Sequence, residues 1–420
     1  MGPCPLAQRC VPGFLPRVLC VRSPRVCPSS SASSQQHPAA PQHPWAGLYI
    51  LAIAVFAVIT TEVVPIGLLP QVVEDFGVDE ARGGLLVTLY AALVAITAIP
   101  LTRATGSLPR KPVLLSTLVV FTVSNTLAAL AQDFWWLMAA RAVGGVAHAL
   151  FFAIAIGYAA RIAPRGQIGR AMALLATGTS AGLILGVPAG TALGALTGWR
   201  PVFAALGLIT ALAVAAAAFL LPAISHDKSA ARALLPGGPT LLLVVGLAGS
   251  AFLGHYTLYT YVSPLLLAAG LPQEWLGLAL VALGVAGLIA IRATAPFLDA
   301  QPFRWLLLVP LAIGLGLAAT GLAFPHFWPV LIVATVWVAA FGPVNSTYQN
   351  VLVRVGKSNP EMAGAWINVS ANVGIGAGSA LGGWVVVTSG YSAAAWVGAA
   401  ILLATLLLTL LFRQRLRAVR

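Results

Sequence analysis

From Trp45 onward the chain is a series of apolar stretches separated by short charged or Pro/Gly-rich breaks. A helix needs ~20 predominantly apolar residues to cross a ~30 Å hydrocarbon core. Within that core the segment must satisfy every backbone polar group itself, which leaves helices and closed barrels. Repeated stretches of helical span length therefore commit the chain to an all-α membrane protein. Twelve transmembrane helices are predicted, over residues 46–70, 83–103, 112–131, 136–160, 171–196 and 201–222, then 239–268, 275–298, 304–324, 327–352, 362–388 and 391–412. Composition agrees: only 8% of the residues are charged, against about a quarter in a soluble domain.

The longest polar interruption after Trp45 is 223–238 (AISHDKSAARALLPGG). It divides the spans six and six, as a linker between two parallel halves would. The expected organisation is an N-terminal six-helix bundle at 46–222, a cytoplasmic linker at 223–238, a C-terminal six-helix bundle at 239–412 and a basic tail at 413–420. Residues 1–44 are rich in Pro, Ser and Arg without periodicity and are expected to be disordered. An over-extended gene start accounts for them as well as a functional tail does. They hold all four cysteines (Cys4, Cys10, Cys20, Cys27), whose spacing fits no zinc pattern.

A net charge of +13 invites a nucleic-acid reading, since basic proteins neutralise phosphates. The placement of the charges argues for a topology instead. With the first helix running outward, every Lys and Arg except Arg82, Arg141 and Arg200 falls on the cytoplasmic side, while Glu74, Asp75, Asp79, Glu80, Asp133 and Glu274 fall outside. Short loops rich in Lys/Arg stay cytoplasmic. Both termini are then expected inside the inner membrane of a cell, with lipid and no nucleic acid as the surroundings, and a monomer is expected.

Glu62 is the most informative residue, midway along the first span in Thr61-Glu62-Val-Val-Pro65-Ile-Gly67. A charged side chain at that depth costs at least ~2.5 kcal/mol, so it should face a cavity, and intramembrane acids are functional by default. It is the candidate for reversible proton or substrate binding, with a structural partner for Arg141 as the plainer alternative. Arg141 lies about one turn inside the fourth span. It is read either as a charge that modulates the proton site or as a clamp on backbone carbonyls. His148, seven residues on, is close to the same helical face and completes the proton-coupling candidates, although a neutral packing histidine fits that position equally well.

In the fifth span, Gly178, Gly182, Gly186, Gly190 and Gly194 recur every four residues, with Pro188 among them. Such a stripe admits another backbone closely. Close packing along Gly182, Gly186, Pro188 and Gly190 could seal one side of a cavity, and ordinary helix packing would leave the same pattern. The second half offers polar groups rather than charges: His255, Tyr256 and Tyr259, and the i, i+4 pairs Asn345/Gln349 and Asn368/Asn372. They are candidates for a substrate cavity suited to a neutral polyol or sugar, with interhelical hydrogen bonding as the alternative. Basic residues recur after the second span at Arg110 and Lys111, and after the eighth at Arg304 beyond Asp299. Gly178-Thr-Ser180-Ala-Gly182 is a formal nucleophile-elbow pattern without the preceding strand that such an elbow needs. The sequence holds no Walker loop, no H-E-x-x-H and no metal-ligand cluster. An enzyme, an ATP-driven pump and a metal site are therefore not expected.

Taken together, Thr61-Glu62 through Pro70, Leu108-Pro-Arg110-Lys111, Arg141-Ala-Val-Gly-Gly-Val-Ala-His148, Leu185-Gly-Val-Pro188, Gly198-Trp199-Arg200, His255-Tyr256-Thr-Leu-Tyr259 and Asn372-Val-Gly-Ile-Gly-Ala-Gly378 resemble the major facilitator superfamily in its drug:proton antiporter branch. The likeness is greatest to bacterial sugar efflux transporters, with chloramphenicol-resistance exporters near by. The resemblance implies two six-helix bundles rocking about a central cavity. It implies export of a small molecule driven by proton re-entry, with no cofactor beyond the proton gradient. It also implies that Arg141 is the arginine of the fourth-helix motif and that Gly186 and Pro188 belong to the antiporter motif. Two departures stand out: the loop Gly106–Lys111 lacks the signature Asp, and Val187 separates Gly186 from Pro188. Asp299 supplies an acid at the corresponding place in the second half. Export of sugars or related polar metabolites is the leading expectation, with export of an amphiphilic drug next and a non-transporting membrane sensor last.

Overall fold

The computed structural model describes residues 44–164, 167–223, 238–298, 300–355 and 360–417. Among them there is no strand. The first half comprises α1 (Pro44–Phe76), α2 (Glu80–Ala104), α3 (Arg110–Ala129), α4 (Phe134–Ile162), α5 (Ile168–Thr197) and α6 (Trp199–Leu220). The second comprises α7 (Gly238–Tyr259), α8 (Val262–Ala268), a 3₁₀ turn (Gln273–Trp275), α9 (Leu276–Leu298), α10 (Pro302–Ala323), α11 (Phe327–Phe341), α12 (Val344–Val355), α13 (Pro360–Leu411) and the short α14 (Arg413–Arg417).

Eleven helical runs among the described residues are long and apolar enough to cross a membrane. The last of them, Trp366–Leu411, is interrupted at Gly390 (φ 84°, ψ 174°). Only glycine adopts that backbone without strain, and the break makes two membrane passes of one run. The expected twelve helices are thus present. Two expected continuous spans are each broken. The seventh parts between Tyr259 and Val262, and the tenth between Phe341 and Val344. Proline causes both breaks, because it lacks an N–H and its ring crowds the carbonyl four residues earlier. Pro264 stands in the first turn of α8, and Pro343 directly precedes α12. α1, in contrast, runs on to Phe76 through Pro65 and Pro70.

Large apolar side chains such as Phe219 (88% exposed) and Leu196 (85%) stand on the outer surface, where a soluble protein would place charge. Together with the apolar helical runs, they make this a multi-pass membrane protein.

Glycine periodicity fixes the packing inside each half. The α5 glycines face α1: a methyl at Gly186 would stand 2.7 Å from Thr60 Oγ1, and one at Gly182 2.7 Å from Ile59 Cγ2, while Gly178, Gly190 and Gly194 meet Ala52, Val64 and Leu68. Gly182 also meets the Phe56 carbonyl, so on α1 the contacts at 52, 56, 60, 64 and 68 advance by four like the glycines, and the two helices stay in register along their length. The second half repeats the device. Gly374, Gly378 and Gly382 in the first pass of α13 lie against Gly249, Leu253 and Thr257 of α7. In each half, therefore, the first membrane helix packs on a glycine stripe of the fifth, a correspondence expected of parallel repeats.

The halves meet where α2 packs on α13, α5 on α9 and α1 on α8. At one end, which carries Glu74, Asp75, Glu80 and Asp133, they are tied by a hydrogen bond. Tyr391 Oη donates to Glu80 Oε1 at 2.7 Å. Nearby, Tyr261 Oη donates to Ser379 O within the second half at 2.7 Å, and its ring tip reaches across to fill the space left by Gly84 of α2 and Gly383.

Leucine at 186 should separate α1 from α5, because the overlap falls on backbone as well as on Thr60. Overpacking of this kind costs ~1–3 kcal/mol. Gly186→Leu is expected to lower the unfolding temperature in detergent, whereas Gly246→Leu, which meets nothing within 4 Å, should leave it unchanged. Equal unfolding temperatures would remove the role assigned to the stripe.

Candidate functional site: a buried charge cluster on a central cavity

The site begins with a defect that the sequence imposes on α1. Pro65 has no N–H, so the Thr61 carbonyl lacks its helical donor. Arg141 of α4 supplies the replacement. Its Nη1 donates to Thr61 O, its Nη2 to Glu62 O at 3.0 Å and its Nε to Leu86 O of α2 at 3.4 Å. The side chain is 2% exposed. The guanidinium thus binds the backbone beneath Glu62. Thr61 is held further by its own Oγ1 bond to Ala57 O (2.8 Å) and by Asn125 Nδ2 (3.2 Å).

Because Arg141 is committed to carbonyls, the Glu62 carboxyl is left to the cavity. Its nearest ionisable partner is His148, with Nδ1 3.9 Å from Oε2. That Nδ1 also lies 3.0 Å from Tyr90 Oη. The imidazole stacks on Phe152 one turn along α4 (4.8 Å between centroids, 11° between planes). The Tyr90 ring in turn lies beneath the Arg141 guanidinium, 4.1 Å from Cζ to the centroid. Five side chains from α1, α2 and α4 thus form one cluster. Glu62 and Phe152 reach the cavity wall; Tyr90, Arg141 and His148 lie behind it.

The cavity has a volume of about 670 Å³ and runs from Glu62 to Arg110 and Arg161 at the basic end of the molecule. Around Glu62 its first-half wall is mostly apolar, with Ile59, Val63, Ala98, Ile99, Leu183 and Ile184, and Thr102, Arg110, Tyr158, Arg161 and Thr179 also line it. Its second-half wall is aromatic and amidic. His255, Tyr256, Tyr259, Asn345, Gln349, Asn368 and Asn372 all line it. His255 stacks on Phe341 (3.5 Å, 7°) and lies 4.7 Å from the Tyr259 ring and 5.2 Å from that of Trp337. It is 1% exposed, and neither ring nitrogen has a hydrogen-bond partner in the protein. Asn372 Nδ2 bonds Asn368 O at 3.0 Å, which leaves its buried Oδ1 unpartnered.

The remaining candidates are dispersed. Gly182, Gly186 and Gly190 face α1 rather than the cavity. Pro188 withholds a donor from the Ile184 carbonyl, over which Gly284 of α9 passes closely. Arg110 lines the mouth of the cavity. Lys111 Nζ donates to Ala218 O near the end of α6 (2.8 Å), where a cation complements the helix terminus. Arg304 bonds Gln301 Oε1 (2.6 Å). Asp299 lies outside the described residues, as do residues 224–237 of the linker.

Sequence reasoning missed Tyr90, Asn125, Phe152 and Phe341. A tyrosine inside an apolar span and an asparagine in α3 were visible as polar exceptions, but nothing local tells which helix each one faces.

Removing the Arg141 head group should leave Thr61 O buried without a donor, at a cost of ~1–3 kcal/mol. Pro65→Ala returns an N–H to that carbonyl. Arg141→Gln is therefore expected to destabilise the protein in detergent, and Arg141→Gln/Pro65→Ala to recover part of the loss. Strict additivity of the two substitutions would separate the arginine from the proline.

Residues 51–359 match the family model described as Major Facilitator Superfamily.

Proposed function

The chain belongs to the major facilitator superfamily and is a secondary membrane transporter, and we propose that it exports small polar metabolites, sugars among them, in exchange for protons. The carrying observation is that one acid, Glu62, stands on the wall of the central cavity opposite a wall of aromatic and amide groups. A hydroxylated ring can stack on Phe252, Tyr256 or Phe341 and hydrogen-bond the four amides. The buried polar atoms of His255 and Asn372 hold further hydrogen-bonding capacity, and leaving such groups unpaired is costly.

Glu62 is the proton carrier. With the cavity open at the basic end, taken as cytoplasmic by the charge bias of its loops, the carboxyl gives up its proton and a solute binds. The halves then rock, breaking the Tyr391–Glu80 bond and withdrawing the tip of Tyr261 from Gly84 at the acidic end. The solute leaves on that side as Glu62 takes a proton, and the protonated form returns. Gly186, Pro188 and their neighbours keep α1 rigid against α5 during this motion. Both termini are inside the inner membrane. One charge moving down 100 mV supplies ~2.3 kcal/mol, so one proton per neutral solute sustains a roughly fifty-fold outward gradient.

The apolar first-half wall favours a second reading, export of an amphiphilic drug such as chloramphenicol, whose ring and chain would lie against Ile59, Val63 and Leu183. Solute-triggered proton movement in proteoliposomes decides between them, across pentoses, hexoses and chloramphenicol. A sugar should release protons from the wild type and none from Glu62→Gln. A response to chloramphenicol alone would transfer the function to drug export. Full coupling in Glu62→Gln would remove the carboxyl from the mechanism.

A further inference from the structure

Tyr90 carries no role in the proton exchange just described, yet it touches both basic members of the cluster. It is 1% exposed. Glycines make room for it: a methyl at Gly144 would stand 3.2 Å from its Cε2, and one at Gly145 2.7 Å from its carbonyl oxygen. The Gly144-Gly145 pair thus brings α4 onto α2 at the level where Tyr90 enters between Arg141 and His148, one turn of α4 to either side.

The direction of the Tyr90–His148 hydrogen bond follows from the charge above the ring. The Arg141 cation, 4.1 Å from the ring centroid, is attracted to the π face and draws electron density away from the phenol oxygen. That makes the hydroxyl a better donor and a poorer acceptor. Tyr90 Oη therefore donates to His148 Nδ1 across 3.0 Å. The Nδ1 lone pair is then occupied, and the neutral imidazole carries its hydrogen on Nε2.

The consequence lies at Glu62, whose Oε2 is 3.9 Å from that same Nδ1. An imidazolium there would form an ion pair with the carboxylate, and an opposite charge at such a distance favours the ionised form. Glu62 would then hold its negative charge through the cycle instead of exchanging a proton. We propose that Tyr90 is a positioning residue for proton coupling: by donating to His148 Nδ1 it keeps the imidazole neutral and leaves Glu62 free to bind and release its proton. This rests on Glu62 being the proton carrier. The ionisable groups facing His148 are Glu62 from α1, Tyr90 from α2 and Arg141 from its own helix, with Tyr256 of α7 on the cavity wall opposite. α3 contributes Ser124 and Asn125 nearby, and α5 contributes Thr179, Leu183 and Ile184 to the wall.

The test uses Tyr90→Phe, which keeps the ring beneath Arg141 and deletes only the hydroxyl. Solute-triggered proton release is measured against pH in proteoliposomes for the wild type, Tyr90→Phe, His148→Gln, the double variant and Glu62→Gln. Freed of the phenol, His148 can take a proton and pair with Glu62. The pH of half-maximal coupling in Tyr90→Phe should therefore fall by about one unit, the size of shift a neighbouring opposite charge produces. His148→Gln cannot become a cation, so the double variant should follow His148→Gln rather than Tyr90→Phe. A Tyr90→Phe profile that superimposes on the wild type, or a shift that survives in the double variant, overturns the proposal. Coupling that persists in Glu62→Gln overturns the reading beneath it instead. Nitrogen NMR of ¹⁵N-histidine-labelled wild type, assigned against His148→Gln, tests the same point without Tyr90→Phe. His148 should remain the neutral Nε2–H tautomer across about pH 5 to 8, and an imidazolium signal there would contradict it.

Discussion

The arrangement of the first half depends on one exchange of hydrogen bonds. Pro65 denies a donor to the Thr61 carbonyl midway through α1, and Arg141 donates in its place. In hydrocarbon a buried polar group without a partner costs several kcal/mol, so each residue makes the other tolerable. A proline alone would leave an open carbonyl, and an arginine alone would leave a buried cation. Together they fix α1 against α4 at the level of Glu62. Because the guanidinium is occupied by backbone, the carboxyl beside it is not neutralised by a salt bridge and turns to the cavity. The residue that looked like the acid's partner is bound to the backbone instead, and the carboxyl faces His148.

The same economy governs what is rigid and what can move. Within each half, glycine stripes set whole helices in backbone contact, α1 on α5 and α7 on the first pass of α13. Interfaces of that kind tolerate little sliding. Between the halves at the acidic end the ties among the described residues are the Tyr391–Glu80 hydrogen bond and the tip of Tyr261 against Gly84. Such a bond, worth ~0.6–2 kcal/mol in a membrane protein, can be exchanged. The cavity wall follows this division: Glu62 comes from the first half, and the amides with most of the aromatic rings come from the second.

Much of this was legible in the sequence because the membrane imposes a length on each helix. Twelve spans could be placed from apolar runs alone, and the break near Gly390 fell between the last two. The breaks before Pro264 and Pro343 were less visible, since membrane helices carry many prolines and only neighbouring structure decides which ones interrupt. Glu62, Arg141 and His148 declared themselves by their charge or polarity inside apolar runs, and the structure places them together. Tyr90, Phe152 and Phe341 did not, because an aromatic residue in a span is ordinary and its partners lie on other helices. The α5 stripe announced close packing without naming α1 as the partner. Registration between helices is a tertiary property, and the period of a single helix does not contain it.

If Glu62 carries the proton as proposed, a solute bound in the cavity on whose wall it stands should compete with protonation of its carboxyl. Carbodiimide modification reads this directly, since the reagent attacks a protonated carboxyl and the adduct is located by mass spectrometry. Purified protein would be treated with dicyclohexylcarbodiimide with and without a solute that it transports. Labelling at Glu62 should rise as the pH is lowered and fall when the solute is present. Labelling at Glu62 that ignores a transported solute would show that the two ligands do not meet at this carboxyl.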